Sequence, residues 1–180
     1  MSFEILINTL TDLISENEKE KSSHWREILR DKRSFLNFKE NYGYGQYKEY
    51  NKFYETYHSL MQTLIFGREL KEFNEYKLVK HYYKKFNRQV ECDVVRHIFT
   101  FNLLNKFRLL KDNVAVIGDG KANFILGSRI INPEIKLFSI NLPELLINDL
   151  LIINQSNIFS HEEICVVKEE ADLEKEHIKL

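Results

Sequence analysis

The stretch Val114-Ala115-Val116-Ile117-Gly118-Asp119-Gly120-Lys121-Ala122 constrains the fold more than any other part of the chain. Its β-branched run follows the turn Lys111-Asp112-Asn113 and reads as a short strand covered on both faces. The two glycines after it permit a tight turn in which backbone N–H groups approach a ligand closely. Residues 121–131 then read as a helix whose N-terminus points at that ligand and favours negative or polar groups. A second strand is expected over 135–140. Asn141-Leu142-Pro143 turns into a further helix, with Pro143 near its first position, and 164–167 reads as a third strand. Strand–helix–strand–helix–strand is the pattern of a parallel α/β sheet with right-handed crossovers. The ligand of such a sheet lies at the carboxyl ends of the strands, here near Gly118 to Lys121 and Asn141 to Pro143. Only 60 residues follow Gly120, whereas a domain typically takes roughly 100–150. The length therefore predicts a partial sheet of about three strands, with 178–180 opening another.

The first 110 residues read as helical. Phe3, Leu6, Ile7, Leu10, Leu13 and Ile14 recur at helical spacing and predict an amphipathic helix ending near Ser15. A polar loop over 16–21 leads to Ser22 and Ser23, which read as N-caps for a helix carrying Trp25, Ile28 and Leu29. The run Asn41-Tyr42-Gly43-Tyr44-Gly45 interrupts the pattern as a turn or mobile loop. From Gln46 the helical period returns, with Tyr50, Phe53, Tyr54, Tyr57, Leu60, Met61 and Leu64 on one face and Gly67 as the stop. Helices over 70–86 and 94–110 complete the set, the last apolar on most sides and expected to be well buried. The expected division is a helical region over 1–110 and a cofactor-binding region over 111–180. Charge follows the same division: 19 Lys and Arg against 15 Asp and Glu (net +4) in the first, 7 against 12 (net −5) in the second.

Overall charge of −1 argues against a general nucleic-acid or membrane-surface role. Cys92 and Cys165 match no metal spacing, no uncharged run reaches the ~18–20 residues that span a bilayer, and no secretory signal opens the chain. These features predict a cytoplasmic protein with reduced cysteines. The six histidines form no pair at helical metal-site spacing, so no metal ligand is assigned. All nine tyrosines fall between Tyr42 and Tyr83. They read either as the lining of a polar ligand groove, which His58 and His81 could share, or as caps on a helical core.

The glycine turn departs from a dinucleotide fingerprint at two positions. Asn123 replaces the third glycine, and Asn141 stands where an acidic residue would hold a ribose hydroxyl. Both departures favour S-adenosylmethionine, which has no pyrophosphate to cradle, over NAD. Three segments carry a resemblance to a known family: Val116-Ile117-Gly118-Asp119-Gly120-Lys121-Ala122-Asn123-Phe124, Phe138-Ser139-Ile140-Asn141-Leu142-Pro143-Glu144-Leu145-Leu146, and Asn148-Asp149-Leu150. With an N-terminal Ser23-His24-Trp25, they resemble the sugar O-methyltransferases of bacterial surface-polysaccharide gene clusters. The resemblance implies a class I S-adenosylmethionine enzyme, in which a helical region precedes a seven-stranded Rossmann-like sheet. It implies that Gly118, Asp119, Gly120, Lys121 and Ala122 contact the methionine part of the cofactor, with Asn141 and Leu142 beside the ribose. Val116 stands where many methyltransferases carry an acidic residue. The family's later strands, which supply substrate and catalytic groups, would begin where this chain ends, so no catalytic residue is assigned. Asp119 is expected to order the loop, and Asp149 to face solvent.

Three functions follow from these observations. The first is methyl transfer to a hydroxyl of a sugar, nucleotide-sugar or polysaccharide precursor. The second is a non-catalytic helical module whose uncovered sheet edge pairs with another chain, as in a homo-oligomer. The third is a different nucleotide binder on the same partial sheet.

Overall fold

The computed structural model describes residues 2–16, 50–119 and 121–167, and all statements below concern those residues. Sequence expectations for the polar loop up to Lys21, the second helix with Ser22, Ser23, Trp25, Ile28 and Leu29, the turn over 41–45, Gly120 and the strand over 178–180 lie outside them. Six α-helices and a three-stranded parallel sheet are present: α1 (Phe3–Glu16), α2 (Lys52–Phe66), α3 (Asn74–Lys85), α4 (Cys92–Lys106), β1 (Asn113–Ile117), α5 (Asn123–Ile131), β2 (Lys136–Ile140), α6 (Pro143–Ser156) and β3 (Ile164–Val167). Short 3-10 turns occupy Arg68–Glu72 and His161–Glu163.

The sheet runs β1-β2-β3, with Ala115 opposite Phe138 and Phe138 opposite Cys165. Side chains alternate across a strand. Val114, Val116, Leu137, Ile164 and Val166 therefore share one face, and α5 and α6 cover it through Ile125, Leu126, Ile130, Ile152 and Ile153. Both crossover helices lying on one face, in a sheet ordered as the chain runs, give the two βαβ units the same hand. On the opposite face Ile117 is 74% exposed, and Ala115 is exposed too. The expectation that β1 is covered on both faces fails here. Its β-branched run buries Val116 alone, and its outer edge has no strand beside it among the described residues.

Helices and sheet share one apolar core. Val79, Tyr83, Val95 and Ile98 from α3 and α4 pack in the same cluster as Ile125, Leu126, Ile135 and Ile153. Each such side chain contributes about 1.5–3 kcal/mol by leaving water. A second cluster joins Leu6, Ile7 and Leu10 of α1 to Leu146, Ile147 and Leu150 of α6. The helix expected over 94–110 begins at Cys92 and ends at Lys106. It buries Val94, Val95, Ile98 and Phe101, while Leu103 and Phe107 are exposed, so its apolar character is not matched by burial on every side. The helix expected over 70–86 is divided at Phe73, whose extended backbone ends the 3-10 turn and caps α3. Gly67 stops α2 as expected. Its φ of +87° is natural to glycine, and its N–H returns to Thr63 O at 3.1 Å. Tyr76 and Tyr83 are buried, whereas Tyr54 and Tyr57 lie on the surface. No described helix is long and apolar enough to cross a membrane.

Candidate functional site

The connection from β1 to α5 is held by two carboxylates. Asp119 lies just beyond the strand and accepts N–H bonds from Asn123 at 2.9 Å and Ile125 at 3.0 Å, capping α5. Asp149, on α6, accepts the Ala122 N–H at 2.7 Å and is itself buried. That bond fixes Ala122 in the left-handed conformation (φ 50°) from which α5 departs. The ordering role expected of Asp119 is observed. The solvent-facing position expected of Asp149 is not, because Asp149 lies on the same side of α6 as the loop that it anchors. Glu144 and Asn148 are also buried, so the first turns of α6 carry a polar patch inside the fold.

These bonds alter the expected character of the site. The N-terminus of α5 was expected to present free N–H groups to a ligand, but Asp119 and Asp149 take the amides of Ala122, Asn123 and Ile125. Gly118, at φ 75°, gives its N–H to Ile140 O at 3.0 Å and so ties the turn to β2. Lys121 faces Glu91 at 3.7 Å, and its carbonyl accepts from Arg88 at 2.7 Å. Arg88 also donates to Asn123 Oδ1 at 2.6 Å and stacks on the Tyr83 ring. It is 2% exposed and links the helical region to the loop. Asn141 accepts the Leu142 N–H through Oδ1 at 3.0 Å and reaches Asp149 through Nδ2 at 3.5 Å. Leu142 is the N-cap of α6, with Pro143 in the first turn.

A cleft of about 660 Å³ opens along the outer side of β1, between that strand and α4. Gly118, Asp119 and Lys121 line it, whereas Ala122, Asn141 and Leu142 do not. Its other wall carries Asp93, Arg96 and His97 from α4, with Asp93 and Arg96 paired at 2.9 Å. Phe124 lines it as well, its ring set edge-on to His97 at 5.6 Å between centroids. Burial pushes His97 below its usual 6.5, although the carboxylates of Asp119 and Asp93 pull the other way. Burial pushes the Asp119 carboxyl up, opposed by the amide bond from Ile125 and the charge of His97. Sequence reasoning missed this wall. A signal was present: Asp93, Arg96 and His97 sit at i, i+3 and i+4 and form one polar ridge on the first half of the helix. His58 lines a small polar cavity with Tyr50, Glu55 and Lys80, away from the glycine turn, and His81 is exposed.

The residues present fit S-adenosylmethionine in size and charge. The volume lies within the ~300–1,000 Å³ typical of cofactor sites. Carboxylates at Asp93 and Asp119 suit a sulfonium and an ammonium, while Arg96 and Lys121 suit a carboxylate. Among the described residues, the fit rests on side chains more than on loop amides. No protein-family model, curated protein or solved structure matches this chain.

Proposed function

We propose that the chain binds S-adenosylmethionine in the cleft between α4 and β1 and serves methyl transfer to a hydroxyl of a sugar or nucleotide-sugar precursor. The observation that carries the reading is the cleft's position. It runs along the outer side of β1 from Val114 and reaches the strand's carboxyl end, where Gly118 and Asp119 line it and where open α/β sheets take their ligands. The cofactor, when bound, supplies a methyl group on a positively charged sulfur. Asp93 and Asp119 would offset that charge, and Arg96 or Lys121 would orient the amino-acid end. Asp119 is committed to the amides of α5 and is a poor proton acceptor. His97 has its pKa lowered by burial and is neutral near pH 7. Its ring is the group to take the proton from an acceptor hydroxyl, a role general bases fill when positioned within hydrogen-bond reach. Such a protein would work in the cytoplasm, where nucleotide-sugar precursors are made.

The outer edge of β1, which no strand pairs among the described residues, favours a second reading, in which the chain is a non-catalytic module completed by a strand from another polypeptide. Isothermal calorimetry separates the possibilities. S-adenosylmethionine or S-adenosylhomocysteine is expected to bind the folded chain, and Gly118→Val is expected to abolish the heat. Binding of NAD or a nucleotide-sugar alone would replace this reading with a different nucleotide binder. No heat from any of these ligands at about 1 mM would leave the module.

A further inference from the structure

The helix α2 is built inside out. Its inward side is polar: Glu55 bonds Tyr50 and pairs with Lys80 at 2.9 Å, and Gln62 sits 2% exposed between Val90 O and the Tyr76 hydroxyl. Phe66, stacked on Phe99 at the C-terminal end, supplies apolar contact with the core. The outward side carries Phe53 (89% exposed), Tyr57 (58%), Leu60 (58%) and Leu64 (70%), flanked by Tyr54 (62%) and Ile65 (58%). The spacing 53, 57, 60, 64 runs four, three, four, the interval of a coiled-coil seam.

We propose that this stripe pairs with α2 of a second copy of the chain, antiparallel about a two-fold axis. Three observations select this occupant. The first is area. At roughly 200 Å² per ring, the exposed parts of Phe53, Tyr54 and Tyr57 amount to about 400 Å². Leu60, Leu64 and Ile65 carry the stripe toward the ~800 Å² per partner of a stable interface, above the few hundred Å² that monomers commonly expose. The second is charge. Between Phe53 and Phe66 the only acidic or basic side chain apart from His58 is Glu55, and Lys80 neutralises it on the inner side. The stripe therefore meets its own copy without like-charge repulsion. The third is self-complementarity, which an isologous interface requires. An axis midway between Tyr57 and Leu60 sets each Tyr57 against the partner's Leu60, and each Phe53 against the partner's Leu64. Both contacts are aromatic on aliphatic.

Analytical ultracentrifugation of the full chain, from about 1 to 100 µM, tests the proposal. A dimer is expected, and Leu60→Glu or Tyr57→Lys should each raise its dissociation constant at least ~30-fold, as central anchors do. Both residues are exposed in the single chain, so each variant should keep the parent circular dichroism and the urea midpoint that the parent shows when diluted to monomer, without the concentration-dependent rise that dimerisation gives the parent. An equimolar mixture of the two variants should recover a heterodimer, because the introduced Glu and Lys face one another only in the antiparallel arrangement. A monomer throughout this range would overturn the proposal and leave the stripe to an unlike partner or to the chain itself. A dimer unaffected by either variant would overturn it too, placing association elsewhere, such as the edge of β1. Failure of the mixture to recover would overturn the antiparallel pairing.

Discussion

Asp149→Ala is the perturbation that most directly separates the structure from a local reading of the sequence. A helix-surface aspartate facing water would change stability by no more than about 0.5 kcal/mol on truncation. Here the carboxylate accepts the buried Ala122 N–H at 2.7 Å. A hydrogen bond with a charged partner is worth about 1.5–3 kcal/mol, and an orphaned buried amide costs about 1–3 kcal/mol. These overlap rather than add, so the expected loss is about 3 kcal/mol. In a chain of this size that lowers Tm by roughly 6–12 °C. Asp149→Asn retains an oxygen that can accept the amide and should cost about 1 kcal/mol, the difference between a charge-assisted and a neutral hydrogen bond. Urea unfolding followed by circular dichroism at pH 7 measures both. Asp149→Ala within 0.5 kcal/mol of the parent, or no more damaging than Asp149→Asn, would refute the claim that this carboxylate anchors the loop.

Arg88→Met should cost about 2–4 kcal/mol, since it removes charge-assisted bonds to Lys121 O and Asn123 Oδ1 from a buried site. A double-mutant cycle with Asn123→Ala should return at least ~1 kcal/mol of coupling; strict additivity in urea unfolding would refute the link. His97 makes stability depend on pH with a definite sign. Its folded pKa lies below 6.5, so in the window between that lowered value and 6.5 the unfolded chain binds more protons. Its contribution is present above 6.5 and is lost as pH falls through the folded value. The urea midpoint should therefore fall on acidification through this window, and His97→Gln should flatten the slope. An NMR titration placing His97 at or above 6.5 would contradict the burial assigned to it.

Elements whose signals are local were readable from the sequence. The alternating run at 136–140, the β-branched run at 164–167 and Pro143 at the start of α6 are all found close to where periodicity and proline chemistry put them. Orientation was less accessible. Of the seven residues that the period assigned to one face, Phe53, Tyr54, Tyr57, Leu60 and Leu64 are exposed together, whereas Tyr50 precedes the helix and bonds Glu55 and Met61 is half-buried; an apolar stripe does not itself say whether it faces inward. In this fold the polar bonds of Glu55 and Gln62 decide, and the stripe turns outward. Long-range partners were not readable at all. Arg88 meets residues 33 and 35 positions away, and Asp149 meets one 27 positions away. Nothing near either residue in the sequence marks it as buried. The Asp93, Arg96 and His97 ridge was legible in spacing, but its meaning depended on α4 lying alongside β1.

The loop between β1 and α5 shows why two regions of opposite charge behave as one. Arg88 grips it from the helical region, Asp149 from α6, and Asp119 from within. This satisfies three amides that a glycine turn would otherwise leave for a ligand, and Gly118 spends its own on β2. A ligand in the cleft would then meet chiefly, among the described residues, the side chains on the walls: Asp93, Arg96, His97, Asp119 and Lys121. Three of those five stand on α4, outside the segment that first suggested a cofactor. Specificity in such a site depends on how firmly α4 is set against β1. That setting comes from the shared core of Val95, Ile98, Ile125 and Leu126. Shortening one of these side chains should weaken ligand binding along with stability, even though none of them touches the cleft.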